Sequence, residues 1–241
     1  MPDGDRMART NAGRELTALH RQRQLVLRAA TLRDMLVLSK LWNSPFDDFA
    51  DATATLVESR RPISSALAAD YYRGLRFAEG VPGTATPELV SETNRDKVLA
   101  SLYVTGLGTY NRSVKAGLTT TAAREQALVS LSGAVGRHVL NAGRDTIIGS
   151  VKADKRGGGW ARVTSGKPCS WCAMIASRGP VFSEDTADFQ AHDHCMCMPQ
   201  PHWQGDDGWT DQARGFRAKW DEATRNVSSE DALNAFRRSF E

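Results

Sequence analysis

Residues 160–199 read WARVTSGKPCSWCAMIASRGPVFSEDTADFQAHDHCMCMP and hold all four cysteines of the 241-residue chain. Two of them, Cys169 and Cys172, form a Cys-x-x-Cys turn, and the other two belong to the cluster HDHCMC at residues 192–197. Small secreted proteins spread their cysteines along the chain so that disulfides join distant loops. Cysteines that are grouped with histidines in one segment are instead typical of a metal site.

The two groups offer more ligands than a four-coordinate zinc ion takes. The Cys-x-x-Cys turn supplies two thiolates, and the nineteen residues 173–191 form a loop long enough to bring the second group to the same ion. Four side chains compete for the two remaining positions: His192, His194, Cys195 and Cys197. We predict a site made of Cys169, Cys172, His192 and either Cys195 or Cys197. Four protein ligands leave no position for water, so the predicted zinc has a structural role.

The chain before this segment is predicted to be mainly α. Its apolar residues recur at helical spacings, which predict helices over residues 16–41, 47–78 and 86–110 and a fourth helix from Thr119 to about Gly157. We expect Pro62 to kink or split the second helix and Thr86-Pro87 to open the third. Three glycines in the fourth helix indicate either close contact with another helix or a weakened helix propensity: Gly133, Gly136 and Gly143.

A run of three glycines at residues 157–159 separates the helical part from the cysteine-containing segment. We therefore predict an N-terminal helical domain over residues 1–156, a small mixed α/β zinc-binding module over 157–203 and a short helical tail over 204–241. Within the module, residues 160–163 are predicted to form a strand and 172–177 a helical turn, with further extended segments at 180–182 and 195–199. Residues 228–231 are predicted to cap a last short helix.

Charge and hydropathy limit the partners that the chain can have. Its net charge of +3 gives little reason to expect strong nonspecific attraction to DNA. The sequence has no run of about 18 apolar residues, which a membrane-spanning helix needs. Its N-terminus also lacks the apolar stretch of a secretory signal. We expect a chain that is made and folded in a cytoplasm and has no membrane partner.

The cysteine segment also has two enzymatic interpretations. Zinc nucleobase deaminases share the Pro-Cys-x-x-Cys pattern of residues 168–172, but their chemistry needs an upstream His-x-Glu or Cys-x-Glu triplet, and the sequence has neither. The triplet His192-Asp193-His194 beside a cysteine pair also resembles the metal-finger nucleases, in which one histidine activates water and others hold a divalent ion. Of the later catalytic residues that such enzymes use, only His202 follows here. A zinc-containing HNH-like endonuclease is therefore kept as the alternative function.

The same segment resembles the MuF-like minor capsid proteins of tailed phages, particularly those of actinobacteriophages. The residues that carry the resemblance are 160–163, 169–179 and 192–197. In that family a helical N-terminal part precedes a Cys-x-x-Cys turn and a His-x-x-Cys-x-Cys motif. That second motif falls here on His192, Cys195 and Cys197.

The resemblance implies a non-enzymatic head protein that is present in few copies in the virion. It implies a place at the portal vertex or in the capsid interior, after synthesis in the host cytoplasm. The implied partners are the portal protein and/or the major capsid protein, with packaged DNA as a further contact. The implied role is support of head assembly or of DNA packaging and ejection, with a structural zinc site and no catalytic residues.

Overall fold

The computed structural model describes residues 9–42, 45–180 and 189–240. This part of the chain is mainly helical, as predicted, with one two-stranded sheet. In chain order its helices are α1 (Asn11–Leu38), α2 (Phe46–Ala78), α3 (Arg95–Leu102), α4 (Gly108–Lys115), α5 (Thr120–Ala153), α6 (Ser170–Ala176), α7 (Asp211–Thr224) and α8 (Ala232–Arg238). A 3-10 turn, Ser39–Leu41, follows α1, and a π-helical turn, Tyr103–Leu107, joins α3 to α4. The strands are β1 (Gly157–Val163) and β2 (Met198–Trp203).

The three long helices, α1, α2 and α5, pack together and form the main hydrophobic core. Their apolar residues repeat every three or four positions, so each helix buries one stripe against the other two. Phe49 of α2 and Leu131 of α5 are completely buried in this core, and full burial of such a side chain contributes about 1.5–3 kcal/mol. Threonine side chains cap two of these helices, because Thr10 accepts from the Gly13 amide and Thr119 from the Ala122 amide.

The predicted split of the second helix at Pro62 is wrong, because α2 is one helix over its whole length. Its neighbour Arg61 is buried and ties this turn to the rest of the molecule. The Arg61 guanidinium donates to the carbonyl oxygens of Ser91, Glu92 and His138. These contacts hold the helix in place where Pro62 removes one intrahelical hydrogen bond.

The predicted start of the third helix at Thr86-Pro87 is also wrong. Helix α3 begins at Arg95, and the Asn94 side chain caps it by accepting from the Lys97 amide at 3.0 Å. Residues 84–94 have no regular secondary structure and run along α5. There the Glu88 and Val90 amides donate to the side-chain hydroxyls of Ser150 (3.1 Å) and Thr146 (3.0 Å). Acceptors on α5 thus fix this segment beside that helix.

Of the three α5 glycines named above, Gly136 and Gly143 lie at close contacts with other helices, as the first interpretation of their spacing predicts, whereas Gly133 lies against Asp193 and His194. A Cβ atom added at Gly143 would lie 2.7 Å from Gln24 Nε2 and 2.8 Å from Ser64 Oγ. At Gly136 it would lie 2.6 Å from Arg28 Nε. Glycine therefore allows α1 and α2 to approach α5 closely at these points.

Strands β1 and β2 pair antiparallel, with Trp160 opposite Pro201 and Val163 opposite Met198. The predicted strand at 160–163 lies within β1, and the predicted extended segment at 195–199 overlaps the beginning of β2. The predicted helical turn corresponds to α6. The extended segment predicted at 180–182 lies outside the described residues, apart from Pro180.

The two C-terminal helices pack on α6 and on each other. Phe236 of α8 is completely buried and its ring lies 5.0 Å from that of Trp220 in α7. Helix α8 follows the predicted capping segment directly. None of the helices in the described part of the chain has an apolar stretch long enough to cross a membrane.

The division into domains at residues 156 and 203 stays a prediction. Strand β1 begins at Gly157 and β2 ends at Trp203, where the boundaries were placed. However, the Trp203 ring packs 6.1 Å from Tyr72 of α2, and Ile148 of α5 belongs to the same apolar cluster as Cys172. The sheet and the cysteine-containing segment of residues 169–197, called the metal segment below, therefore pack directly against the helical body formed by α1, α2 and α5.

Candidate metal centre

The Cys-x-x-Cys turn lies at the beginning of α6, a position that brings its two sulfur atoms together. Cys169 is the N-cap residue, and its Sγ accepts a hydrogen bond from the Cys172 amide at 3.4 Å. Cys172 lies in the first turn and is buried, whereas Cys169 is exposed. The second group of predicted ligands lies in the loop that leads into β2, where Cys195 and Cys197 are buried and His192 is exposed.

All five predicted ligands come together in two overlapping triplets that share Cys172. One triplet is Cys169, Cys172 and His192, and the other is Cys172, Cys195 and Cys197; within each, the donor atoms lie within 4.8 Å of one another. His192 Nε2 lies 3.2 Å from Cys169 Sγ and 3.3 Å from Cys172 Sγ. The sulfur atoms of Cys172 and Cys195 are 3.8 Å apart.

These distances fit a tetrahedral zinc site. Zinc bonds of about 2.3 Å to sulfur and about 2.0 Å to nitrogen place two sulfurs about 3.8 Å apart and a sulfur and a nitrogen about 3.5 Å apart. The measured separations agree within a few tenths of an ångström. Five donors converge, which is one more than zinc takes, so the choice between Cys195 and Cys197 stays open.

The hydrogen bonding of the His192 ring is that of a metal ligand. Its Nδ1 lies 2.7 Å from the Asp193 carbonyl oxygen. A carbonyl only accepts, so Nδ1 carries the proton and the lone pair of Nε2 faces the sulfur atoms. Metal-binding histidines are usually oriented in this way by a backbone carbonyl or a carboxylate.

His194 belongs to neither triplet, although the sequence made it a candidate ligand. It is the one non-glycine residue with positive φ in the described part of the chain, at +64°. Its ring lies against α5 at Gly133, where an added Cβ would be 2.7 Å from His194 Nε2 and 2.8 Å from Asp193 Cβ. The Asp193 carboxylate pairs with Arg137 of α5 at 2.7 Å. These contacts fix the loop of residues 192–197, called the ligand loop below, on the helical body.

The cysteines influence one another's ionisation. The hydrogen bond between the sulfur atoms of Cys172 and Cys195, together with Cys197 and the Arg144 charge, holds the pKa of Cys195 far below its usual value. The same contact with Cys195 raises the pKa of Cys172, as do Cys197 and burial. Burial would also raise the pKa of Cys169, but hydrogen bonds, chiefly the one from the Cys172 amide, outweigh it, so that this pKa is lowered.

Two buried arginines that the sequence reasoning missed, Arg144 and Arg162, support the second triplet. Arg144 donates from Nε to the Cys197 carbonyl at 3.0 Å and from Nη2 to the Cys195 carbonyl at 2.8 Å. Burial lowers the pKa of Arg144 to about 10, and the two cysteines oppose this shift. Arg162 lies in β1, with its guanidinium carbon 3.8 Å from the centre of the Phe189 ring. Both arginines occupy positions where the helix and strand patterns require apolar residues, and this signal in the sequence could have revealed them.

The three remaining histidines of the sequence, His20, His138 and His202, belong to no donor triplet in the described part of the chain. His20 stacks on Tyr71 with the ring centres 4.5 Å apart. Burial lowers the pKa of His20 and of His138 to about 4. His202 is buried in β2, and burial likewise lowers its pKa. These histidines are therefore neutral residues of the packed interior near pH 7.

Comparison with known proteins gives the family. The sequence model of the family described as VG15 protein matches residues 9–223, which include the three long helices and all five predicted ligands. The chain belongs to the VG15 protein family. It is also similar to the Gene 15 protein of Mycobacterium phage D29, with 44% identity over 70 residues that cover 27% of this VG15 protein and 26% of the phage protein. No solved structure matches it. These findings indicate a bacteriophage protein.

Proposed function

We propose that this VG15 protein is a minor capsid protein of the MuF-like type, present in few copies in the head of a tailed phage. The observation that carries the proposal is the convergence of the Cys-x-x-Cys turn and the His-x-x-Cys-x-Cys motif on one site, in a chain whose family match and relative point to phages. The protein would act at the portal vertex or in the capsid interior. There it would support head assembly or the packaging and ejection of DNA.

The zinc of the proposal has a structural role. Cys169, Cys172, His192 and one of Cys195 and Cys197 would hold it, and when bound it would link the beginning of α6 to the loop before β2. The apolar cluster around these residues contains few large side chains, chiefly Ile148, Trp160 and Phe189. A bound metal stabilises such small segments, because binding free energy adds to folding free energy.

The outer face of α1 is the surface that we assign to the contact with the portal protein. Large apolar side chains are exposed along it: Leu19, Leu25, Val26, Leu36, Val37 and the adjoining Leu41. The exposed charged residues between Leu19 and Leu41 are Arg23, Arg33 and Lys40, and the exposed acidic residue Glu15 lies one helical turn before Leu19. Exposed apolar patches of this kind mark interaction surfaces. The excess of basic residues favours a partner surface that combines apolar and acidic side chains.

The experiment that tests the proposal is mass spectrometry of purified virions. We expect this protein in the particle at a small number of copies relative to the major capsid protein. Its absence from intact virions would rule out a head component. Metal analysis of the purified chain should give about one zinc per chain, in accordance with a closed four-ligand site.

The nuclease alternative makes a different prediction for the same purified protein. Besides His192, which is a proposed metal ligand, it requires a second histidine beside the ion to activate water, and His194 instead lies against Gly133 of α5. Cleavage of DNA in magnesium or manganese that is lost in a His194→Ala variant would favour the nuclease over the head protein.

A further inference from the structure

Arg144 and Arg162 are unusual because both guanidinium groups are buried and bonded to neutral oxygens. Their side chains belong to residues that are only 3% and 2% exposed. Arg144 donates to the carbonyls of Cys195 and Cys197 and to the Asn141 side-chain oxygen. A buried charge costs several kcal/mol unless an opposite charge compensates it.

The lack of a compensating negative charge is clearest at Arg162. Its Nη2 donates to the Gln190 carbonyl at 2.7 Å, whereas Nε and Nη1 are buried and have no hydrogen-bond partner among the described residues. The guanidinium is stacked on the Phe189 ring and lies 5.6 Å from the centre of the Trp171 ring. Aromatic faces attract a cation, but this contributes only about 2 kcal/mol when the pair is desolvated. A negative charge near Arg162 would offset the remaining cost of burying its positive charge.

Asp145 supplies one negative charge that acts on Arg144, and the cysteines can supply negative charge beside both arginines. Cys172, Cys195 and Cys197 belong to the same buried cluster as Phe189, and Trp171 lies between the two cysteines of the turn. Cysteine binds zinc as the thiolate. A zinc ion with three thiolates and one neutral histidine has a net charge of about −1, and one with four thiolates about −2. Two arginines beside it match a thiolate-rich centre.

We propose that Arg144 and Arg162 are positioning residues that supply the counter-charge of an anionic metal–thiolate centre. The inference rests on the metal binding proposed above and specifies the class of ion: a thiophilic divalent ion such as zinc, and not magnesium or manganese, which prefer oxygen ligands. Arg144 also orients the loop, because one planar group bonds the carbonyls of both cysteines.

The test compares metal binding with the stability of the metal-free protein. Arg162→Met keeps the length and the packing of the side chain but removes the charge. We expect zinc affinity, measured by competition with a chromophoric chelator, to fall about 10- to 100-fold, as for other residues that support metal ligands. The thermal midpoint of the metal-free variant should equal or exceed that of the parent, because its buried charge has lost its counter-ion there.

Two further variants serve as controls. Arg162→Lys retains the charge and should bind zinc more tightly than Arg162→Met. Arg217→Met removes an exposed arginine of α7 that pairs with Asp221, and it should leave zinc affinity unchanged. The cobalt-substituted parent and Arg162→Met should show the same sulfur-to-cobalt charge-transfer intensity, which measures the number of bound thiolates.

The outcomes separate this inference from the proposal on which it rests. If the parent chain binds no zinc, the proposed metal centre is wrong. If the parent binds zinc and Arg162→Met binds it equally well, the centre stands and the role of the arginines is wrong. A fall in affinity with an equal fall in metal-free stability would mean that Arg162 only packs, and would also overturn the inference. If Arg162→Met does not fold, Arg162→Lys must bind at least tenfold more tightly than Arg162→Gln.

Discussion

At the scale of single residues, the two candidate ligands Cys172 and His194 differ in what they contact. Cys172 is shared by both donor triplets, and His194 lies in neither. We expect Cys172→Ser to abolish zinc binding, because it removes the thiolate common to every candidate ligand set. His194→Ala should keep one zinc per chain. Metal analysis of both purified variants checks this, and loss of zinc in His194→Ala would show that the histidine is a ligand.

Gly133 is the point at which the ligand loop meets α5. In Gly133→Ala the new methyl group would lie 2.7 Å from the His194 ring and 2.8 Å from Asp193 Cβ, so the loop has to move. Such overpacking costs about 1–3 kcal/mol. We expect lower zinc affinity at unchanged helix content, measured by chelator competition and circular dichroism.

Gly215→Ala in α7 is the matched control, since nothing lies within 4 Å of its added Cβ. That change should stabilise the protein by up to about 1 kcal/mol through helix propensity. Equal zinc affinity in the two variants would contradict the assigned loop contact.

At the scale of elements, α1 has two faces with apolar side chains, and the described residues cover only one of them. One packs against α2 and α5, whereas Val26 and Val37 on the other are 63% and 64% exposed. A photo-reactive amino acid at Val26 should cross-link to the portal protein in assembled heads, identified by mass spectrometry. The same group at Phe77, which is 88% exposed on α2, is the control and should give a weaker product. Cross-linking to the major capsid protein alone would mean that this surface contacts that protein and not the portal protein. If no head protein is cross-linked, the assignment of this surface is wrong.

At the scale of the whole molecule, the helical body and the metal segment have cores of different size. The body contains large buried side chains from α1, α2 and α5, whereas the buried cluster of the metal segment contains, among the described residues, Ile148, Trp160, Phe189 and the cysteines, with Trp171 packed against it. Structural zinc contributes on the order of 10 kcal/mol in small modules. We expect a strong chelator to make the chain cleavable by trypsin after Arg178, which is exposed and lies just beyond the end of α6.

The far-ultraviolet helical signal should change little in that experiment, and Arg23 on α1 should stay uncleaved. A complete loss of helicity would show that the two parts share one core, which the packing of Trp203 against Tyr72 makes a real alternative. The predicted domain boundary at residues 157–159 would then be wrong.

Local patterns in the sequence were sufficient for the helical class and for the set of metal-binding candidates. The spacing of apolar residues predicts α1, α2 and α5, because a helix shows its period within a few turns. The Cys-x-x-Cys turn could be predicted as a pair of neighbouring sulfurs for the same reason. One turn at the start of α6, where Cys169 caps the helix, brings the two sulfurs together. Each of these features depends on residues that are close in sequence.

Only the tertiary structure decided features that depend on residues far apart in sequence. Thr146 and Ser150 of α5 fix residues 84–94 beside that helix, although Pro87 is a good first residue of a helix. His194 lies at Gly133 and not among the sulfurs because α5 offers a flat backbone surface there. Arg144 and Arg162 meet the cysteine segment only when α5 and β1 pack against it. The sequence determines the candidate ligands and the helical class, and long-range packing determines which charges and which loop surround those candidates, because such contacts have no local period.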